Sequence, residues 1–293
     1  MFGFSKKNDA PKAGSRMADK AQKPKTVTRH DPPEPSGIAF APWSPRVSEY
    51  EVAGQLNRSD STTRMLRSSL KLSGKGEQDL PAILVPDPDH PLDHHAVAVW
   101  VSGSHVGYME RAGSLKFHQT VADLTSRGRQ VTVQARAWAR AVGRDFWSGI
   151  TLLLPEPDGF EALNGVPVDG LAMPSGPAAT LPRDETYTDD LADFLVKYGA
   201  EGCVAVTLHE TAGFAAVPPV EVRLDDRLVG MLSSVQAADL LPLVVRVTAL
   251  GRVPVARAIL HGNAIKPYLT LHAAGVEILG EDWAPGLDGS GAE

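Results

Sequence analysis

The sequence predicts a mainly β fold with helices (α+β), organised as two tandem copies of one small module, and three observations carry that expectation. Short runs of alternating apolar residues recur along the chain, bounded by Gly, Pro and Asp. Two of these runs flank a tight Ser102-Gly103 hairpin that leads into a helix. The same strand, hairpin, strand and helix then return at a constant offset of 123 residues, aligning Val97-Ala-Val-Trp-Val-Ser-Gly-Ser-His-Val-Gly-Tyr-Met109 with Val220-Glu-Val-Arg-Leu-Asp-Asp-Arg-Leu-Val-Gly-Met-Leu232. Without a gap, that offset also carries Gly128-Arg129 onto Gly251-Arg252.

The elements follow in order. Residues 1–45 read as a disordered basic tail. Up to about residue 37 they are rich in Lys, Pro, Ala, Ser and Asp, with too little apolar surface to offset the entropy of ordering. Ordered structure is expected to begin between Trp43 and Val52, and capping residues near Ser59 and Asp60 start a short helix running to about Leu70. Strands are expected at about 80–86, 96–102 and 105–109. Arg111 to Arg127 reads as a helix with Leu115, Val121, Ala122 and Leu124 inward and Gly128 ending it. Val131, Val133, Ala135 and Ala137 alternate as the next strand, and Gly149 to Pro155 closes a first module over 46–155.

Residues 156–200 read as an acidic linker carrying one amphipathic helix, Thr188 to Tyr198, with Leu191, Phe194, Leu195 and Tyr198 on one face, which packs on the second module or binds a partner. The second copy spans 201–276, with strands from Cys203 and Val220, a helix, then strands at Val253 to Leu260 and Lys266 to Ala273. Residues 277–293 read as a flexible C-terminal tail.

Composition narrows the function classes. The 293-residue chain is 43% hydrophobic, enough for a buried core, and its single cysteine excludes an internal disulfide framework. No apolar run approaches the ~18 residues of a membrane span, and no secretory h-region follows Met1, so the chain reads as soluble and cytoplasmic, with no membrane partner. The net charge of −6 hides a polarity: residues 1–45 carry +4, residues 46–154 carry +2 and residues 155–293 carry −12. A phosphate backbone would be bound by the first half, and the acidic second half is suited to protein contacts.

The loop before the hairpin is the most specific motif. Asp87-Pro-Asp-His-Pro-Leu-Asp93 leads into Ala96, Val97 and Val99, and then Val106-Gly107-Tyr108 begins the returning strand, with Val52-Ala53-Gly54 as an opening strand. In this order the residues resemble the HIRAN domain, a small β-barrel module found fused to helicases and nucleases and also alone. The resemblance implies two tandem OB/SH3-like β-barrels of HIRAN type, the second degenerate, since Glu210 to Pro219 replaces the Pro/Asp loop. It implies a non-enzymatic, DNA-associated protein that binds single-stranded DNA or DNA ends, in DNA processing or repair. Asp93 matches the family's loop aspartate and Tyr108 follows its Val-Gly pair. Leu92 stands where DNA-gripping members place a tyrosine, and Gln55-Leu56-Asn57 lacks their Arg/Tyr pair.

The candidate DNA-binding residues are therefore Asp93, Tyr108, Arg111, Arg58 and Trp100. Trp138 and Trp147 are further stacking platforms, and Arg64, Arg67, Arg136, Arg140 and Arg144 further phosphate contacts. Asp89, His90 and Asp93 are the side chains that could first ligate a divalent metal, although their spacing does not demand one. His209-Glu210 begins like a zinc-protease helix, but Gly213 stands where the second histidine belongs. Cys203 and His209 are six apart on a predicted strand, too far to form a dyad, and Cys203 reads as a buried thiol. No catalytic constellation or cofactor is expected. The alternative function is a protein-interaction or assembly scaffold without DNA binding.

Overall fold

The computed structural model describes residues 30–53, 75–142, 145–211, 217–280 and 283. The expected helix at 59–70, together with Arg58, Arg64 and Arg67, lies outside the described residues. Two seven-stranded sheets, each with its own core, share the unit spanning Pro32–Glu293. Among the described residues no helix is long and apolar enough to cross a membrane.

The first sheet contains β1 (Ile38–Phe40), β2 (Ser48–Ala53), β3 (Lys75–Asp87), β4 (Ala96–Val101), β5 (Ser104–Met109), β6 (Arg129–Val142) and β7 (Asp145–Leu154), with α1 (Arg111–Ser126) between β5 and β6. Its order is β1-β6-β3-β4-β5-β2-β7, and β6 also pairs with β7, so six strands close into a barrel with β1 appended in parallel to β6. Closure depends on β2, whose Ser48–Glu51 pairs with β7 while Val52 and Ala53 cross to β5. Val97, Val99 and Val101 point into the interior, as period two requires, and meet Phe117, Val121 and Leu124 of α1 there. The helix presents Phe117 inward and leaves Leu115 exposed, which corrects the expected inner face.

The second sheet contains β8 (Gly170–Ala172), β9 (Ala178–Thr180), β10 (Cys203–Glu210), β11 (Val220–Leu224), β12 (Arg227–Met231), β13 (Val253–His261) and β14 (Tyr268–His272). Its order is β12-β11-β10-β13-β14-β9, with β8 parallel to β13, and it remains a half-barrel. Strand β9 does not reach β12, because Leu181 follows it, filling the space against Gly230, and Pro182 offers no N–H to continue a ladder. Helix α2 (Thr188–Tyr198) buries Leu191, Phe194 and Leu195 in this core, and α3 (Ser234–Ala249) crosses it, started by a capping box between Ser233 and Gln236.

The repeat is kept down to backbone detail. Helices α1 and α3 occupy 111–126 and 234–249, and the register irregularity at Val99/Trp100 in the first hairpin recurs at Val222/Arg223 in the second. Ser102-Gly103 and Asp225-Asp226 both turn through positive φ, the geometry of a two-residue hairpin whose twist matches its strands. Gly128 (φ 74°) and Gly251 (φ 71°) end the two helices in the left-handed region that a side chain would disfavour.

Three boundaries differ from those expected. Within the predicted tail, Ile38–Phe40 pairs with β6 and Trp43 is buried. Within the predicted linker, β8 and β9 join the second sheet as counterparts of β1 and β2. Gly37-Ile-Ala-Phe40 and Gly170-Leu-Ala-Met173 even carry similar residues, too short a match to stand out in the sequence. Past residue 276, α4 (Val276–Leu279) and Trp283 pack on the second core, and Arg246 donates to the Trp283 carbonyl at 2.9 Å.

The outer face of the second sheet is covered by segments of the first module. Trp43 sits with Cys203, Ala205, Val255 and Ile259 in a separate apolar cluster, its indole N–H donating to the Val204 carbonyl at 3.0 Å. Asn164 docks beside it, its amide accepting from Ala205 N–H at 2.8 Å and donating to Ala205 O at 2.9 Å, as a neighbouring strand would. The same amide donates to Asp225 in the second hairpin turn, which also receives Lys197 Nζ at 2.8 Å and the Tyr198 hydroxyl at 2.5 Å. Asp225 thus fastens helix, hairpin and inter-sheet segment together.

Burial alone would raise the Asp225 pKa, but its hydrogen bonds from Lys197, Tyr198 and Asn164 outweigh that and hold it lowered. Asp225→Asn keeps the turn conformation and removes the charge, and should cost about 1–2 kcal/mol in urea unfolding at neutral pH, the partial exposure of the pair limiting the loss. A depressed carboxylate stabilises above its unfolded pKa, so the gap between wild type and variant should close as pH falls below the ordinary 3.8.

Candidate functional site

Around the Pro/Asp loop, register decides what meets what. Asp87 pairs with Ala96 across β3–β4, and Ala98 pairs with Tyr108 across β4–β5. Two alanines therefore lie between Asp87 and Tyr108, and their small side chains leave room for the phenol to reach across β4. Its hydroxyl donates to Asp87 Oδ2 at 2.9 Å, and the carboxylate is fully buried. The loop then winds through successive turns, with His90 N–H to Asp87 O, Asp93 N–H to His90 O and Ala96 N–H to Asp93 O. Asp93 Oδ1 accepts the His95 N–H at 2.9 Å, and His94 Nδ1 donates to Pro88 O at 3.0 Å. The loop is rigid because its polar side chains serve its own backbone. Leu92, at its tip, is 89% exposed.

A row of rings runs along the hairpin, with His105 buried and His90, Trp100 and Tyr108 half-buried. His90 meets the Tyr108 ring edge-on at 4.7 Å, His105 meets Tyr108 at 4.8 Å, and Trp100 tilts over His105 at 5.5 Å. His105 is held by its Nε2–H, which donates to Gly107 O at 2.7 Å. The offset of 123 replaces this row in the second copy: Trp100, His105 and Tyr108 become Arg223, Leu228 and Met231, and Asp87 becomes Glu210. The ring cluster belongs to the first copy alone.

The remaining candidates are dispersed. Arg111 is exposed in the first turn of α1. Arg136 lies against three carboxylates, Glu49, Glu77 and Asp79, which compete with any phosphate for it. Trp138 is 40% exposed and its ring lies over the backbone of Gly149, where an added Cβ would meet Trp138 Nε1 at 2.4 Å. The side chains of Arg140, Arg144 and Trp147 lie outside the described residues. Asp89, His90 and Asp93 are not brought together, and among the described residues no three His, Cys, Asp or Glu side chains form a metal-binding group. Cys203 is buried, and burial pushes its pKa up to about 11, which makes it a poor thiolate. His209 Nε2 is occupied by Thr207 Oγ1 at 2.8 Å.

Sequence reasoning missed two participants. Asp87 looked like one more turn aspartate, and only strand pairing shows that it is the buried anchor of Tyr108. His118 projects from α1 toward His95, ring centroids 5.4 Å apart, and its Nε2 is buried without a hydrogen-bond partner. The available signal was the repeat itself, since Leu241 occupies the matching helical position. Burial first, and His95 second, push the His118 pKa below its ordinary 6.5. No family model, curated protein or solved structure matches this chain.

His118→Leu places the second copy's residue in the first and removes an unsatisfied buried nitrogen, so stability should rise by about 1 kcal/mol at pH 7.5. A histidine with a depressed pKa supports the fold above its unfolded pKa and loses that support as pH falls. The advantage of the variant in thermal melts should therefore widen as pH drops below 6.5.

Proposed function

We propose that the first module is a non-enzymatic binding site for single-stranded DNA or a free DNA end, acting in DNA processing or repair, with the acidic second module available for protein contacts. The observation that carries this reading is the ring row His90–Tyr108–His105–Trp100 beside the Pro/Asp loop, present in one copy and replaced in the other. Aromatic and imidazole faces suit unpaired bases, and stacking is worth about 1–3 kcal/mol per base. The resemblance of the loop and hairpin to the HIRAN pattern supports the same ligand. Arg111, exposed in the first turn of α1, is the candidate phosphate contact.

A second reading, a scaffold that ignores DNA, draws on the three carboxylates around Arg136 and on the exposed Leu92. In it the loop tip inserts into a protein partner and the ring row is packing.

Fluorescence anisotropy of the full chain with a labelled oligothymidylate separates the two. On the DNA reading, binding weakens with added salt, Trp100→Ala lowers affinity about 5- to 100-fold, and Arg111→Ala weakens it uniformly while lowering the salt slope by about 1. Absence of binding to free-ended DNA at low salt, with Leu92→Asp abolishing self-association or capture of a partner, establishes the scaffold instead.

A further inference from the structure

A cleft of about 320 Å³ opens at the seam of the two modules, away from the ring row. Its walls include Phe40 and Trp43 from the first module, the Val166-Pro167-Val168 segment, and three arginines, Arg129, Arg252 and Arg257. No carboxylate-bearing residue is among the described residues that line it. Arg129 and Arg252 are repeat equivalents, each just before or at the start of the strand that receives a parallel partner, β6 or β13. The internal duplication has set two cationic strand ends around one space.

Two arginines of this cleft are held by carbonyls rather than by carboxylates. Arg46, Arg127, Arg136, Arg223 and Arg227 each pair with carboxylates. Arg252 donates Nε to Asp169 O at 3.0 Å and Nη2 to Gly170 O at 2.9 Å, and Arg257 donates Nη1 to Met173 O at 3.0 Å. All these acceptors are neutral carbonyls, which orient the guanidinium without cancelling its charge. Arg257 also lies over the Trp43 ring, 4.8 Å from its centroid. Burial pulls its pKa down, and the Cys203 thiol beside it, which would oppose that shift as a thiolate, is neutral at physiological pH. A partly buried cation without an anion is costly to keep, and it is compensated when an anion enters. Arg129 is additionally influenced by Glu161, so the case stands on Arg252 and Arg257.

We propose that this cleft binds a small phosphorylated ligand of nucleotide size, with Arg252 and Arg257 gripping the phosphates and Phe40, Val166 and Pro167 receiving the uncharged part. Phosphate suits the site better than carboxylate, because two forks fixed by one edge leave separate N–H groups, and a phosphoryl group offers three acceptor oxygens to satisfy them. The volume falls at the small end of the range that holds such molecules. This site is independent of the DNA reading of the first module.

Isothermal titration calorimetry and thermal melts of the full chain with ATP, pyrophosphate, adenosine and citrate test it. ATP and pyrophosphate should bind and raise the melting temperature by a few degrees, and adenosine and citrate should not. Arg252→Gln and Arg257→Met should each weaken binding about tenfold or more, while Arg227→Gln, remote from the cleft, leaves it unchanged. Arg257→Met should melt no lower than wild type without ligand, since it removes an uncompensated charge, and Arg252→Gln gives the same reading should that variant not fold. The proposal is overturned if millimolar ATP and pyrophosphate neither bind nor stabilise, if citrate binds as well as pyrophosphate, or if both variants retain wild-type affinity. It is also overturned if these arginines are required for an oligothymidylate but not for pyrophosphate, which would make the cleft part of a nucleic-acid surface.

Discussion

The second sheet has two apolar faces and therefore needs two covers. Its inner face is met by α2 and α3, and its outer face, with Cys203, Ala205, Val255 and Ile259, by Trp43 and the chain around Ala162. Burial of a tryptophan of this kind contributes about 3–5 kcal/mol, judged by what its removal from a core costs. The Asn164 amide satisfies the Ala205 backbone groups of β10 beyond the span that β11 pairs, and the Trp43 indole N–H adds a bond to the Val204 carbonyl. That constraint makes one folded unit of two duplicated modules and creates the arginine-lined cleft at their seam.

The two copies differ in closure and in the side chains of their hairpins. The first copy closes its barrel because β2 bends from β7 to β5, while the second stays open where Leu181 and Pro182 interrupt the same path. The first copy keeps polar and aromatic side chains along its hairpin, anchored through Tyr108 to a buried Asp87. The second has aliphatic residues or ion pairs there, such as Arg223 with Glu221. In the second copy Asp225 makes its hairpin turn a junction for a helix and an inter-module segment.

Charge distribution sets the terms of any ligand reading. Many cations of the first module are already engaged, Lys116 with Glu156 and Tyr50, Arg127 with Glu161, and Arg136 with three acids. On the DNA reading, a polyanion there would be held more by stacking than by neutralisation. Arg252 and Arg257, held by backbone carbonyls, lie instead in the seam, a position that net charge by segment could not reveal.

Much of the fold was legible in the sequence, because its signals are local. Period two marks the strands, a hairpin and a helix of fixed length repeat at 123, and glycines at 128 and 251 stop the helices by a backbone requirement that no long-range contact alters. Helix 188–198 was readable for the same reason, as an amphipathic stripe. The short strands β1, β8 and β9 were not, since three residues carry no periodicity and owe their conformation to the edges they pair with. The loop motif was visible as a cluster of Asp, Pro and His, but its internal roles were not. Composition and spacing determined the repeated strand, hairpin and helix of the β module, but not where each module begins, since β1, β8 and β9 lie in segments read as tail and linker. Only the tertiary structure decided which barrel closes, that Asp87 rather than Asp93 holds Tyr108, and that Arg252 and Arg257 share a cleft with Trp43, because each of these depends on contacts between residues distant in the chain.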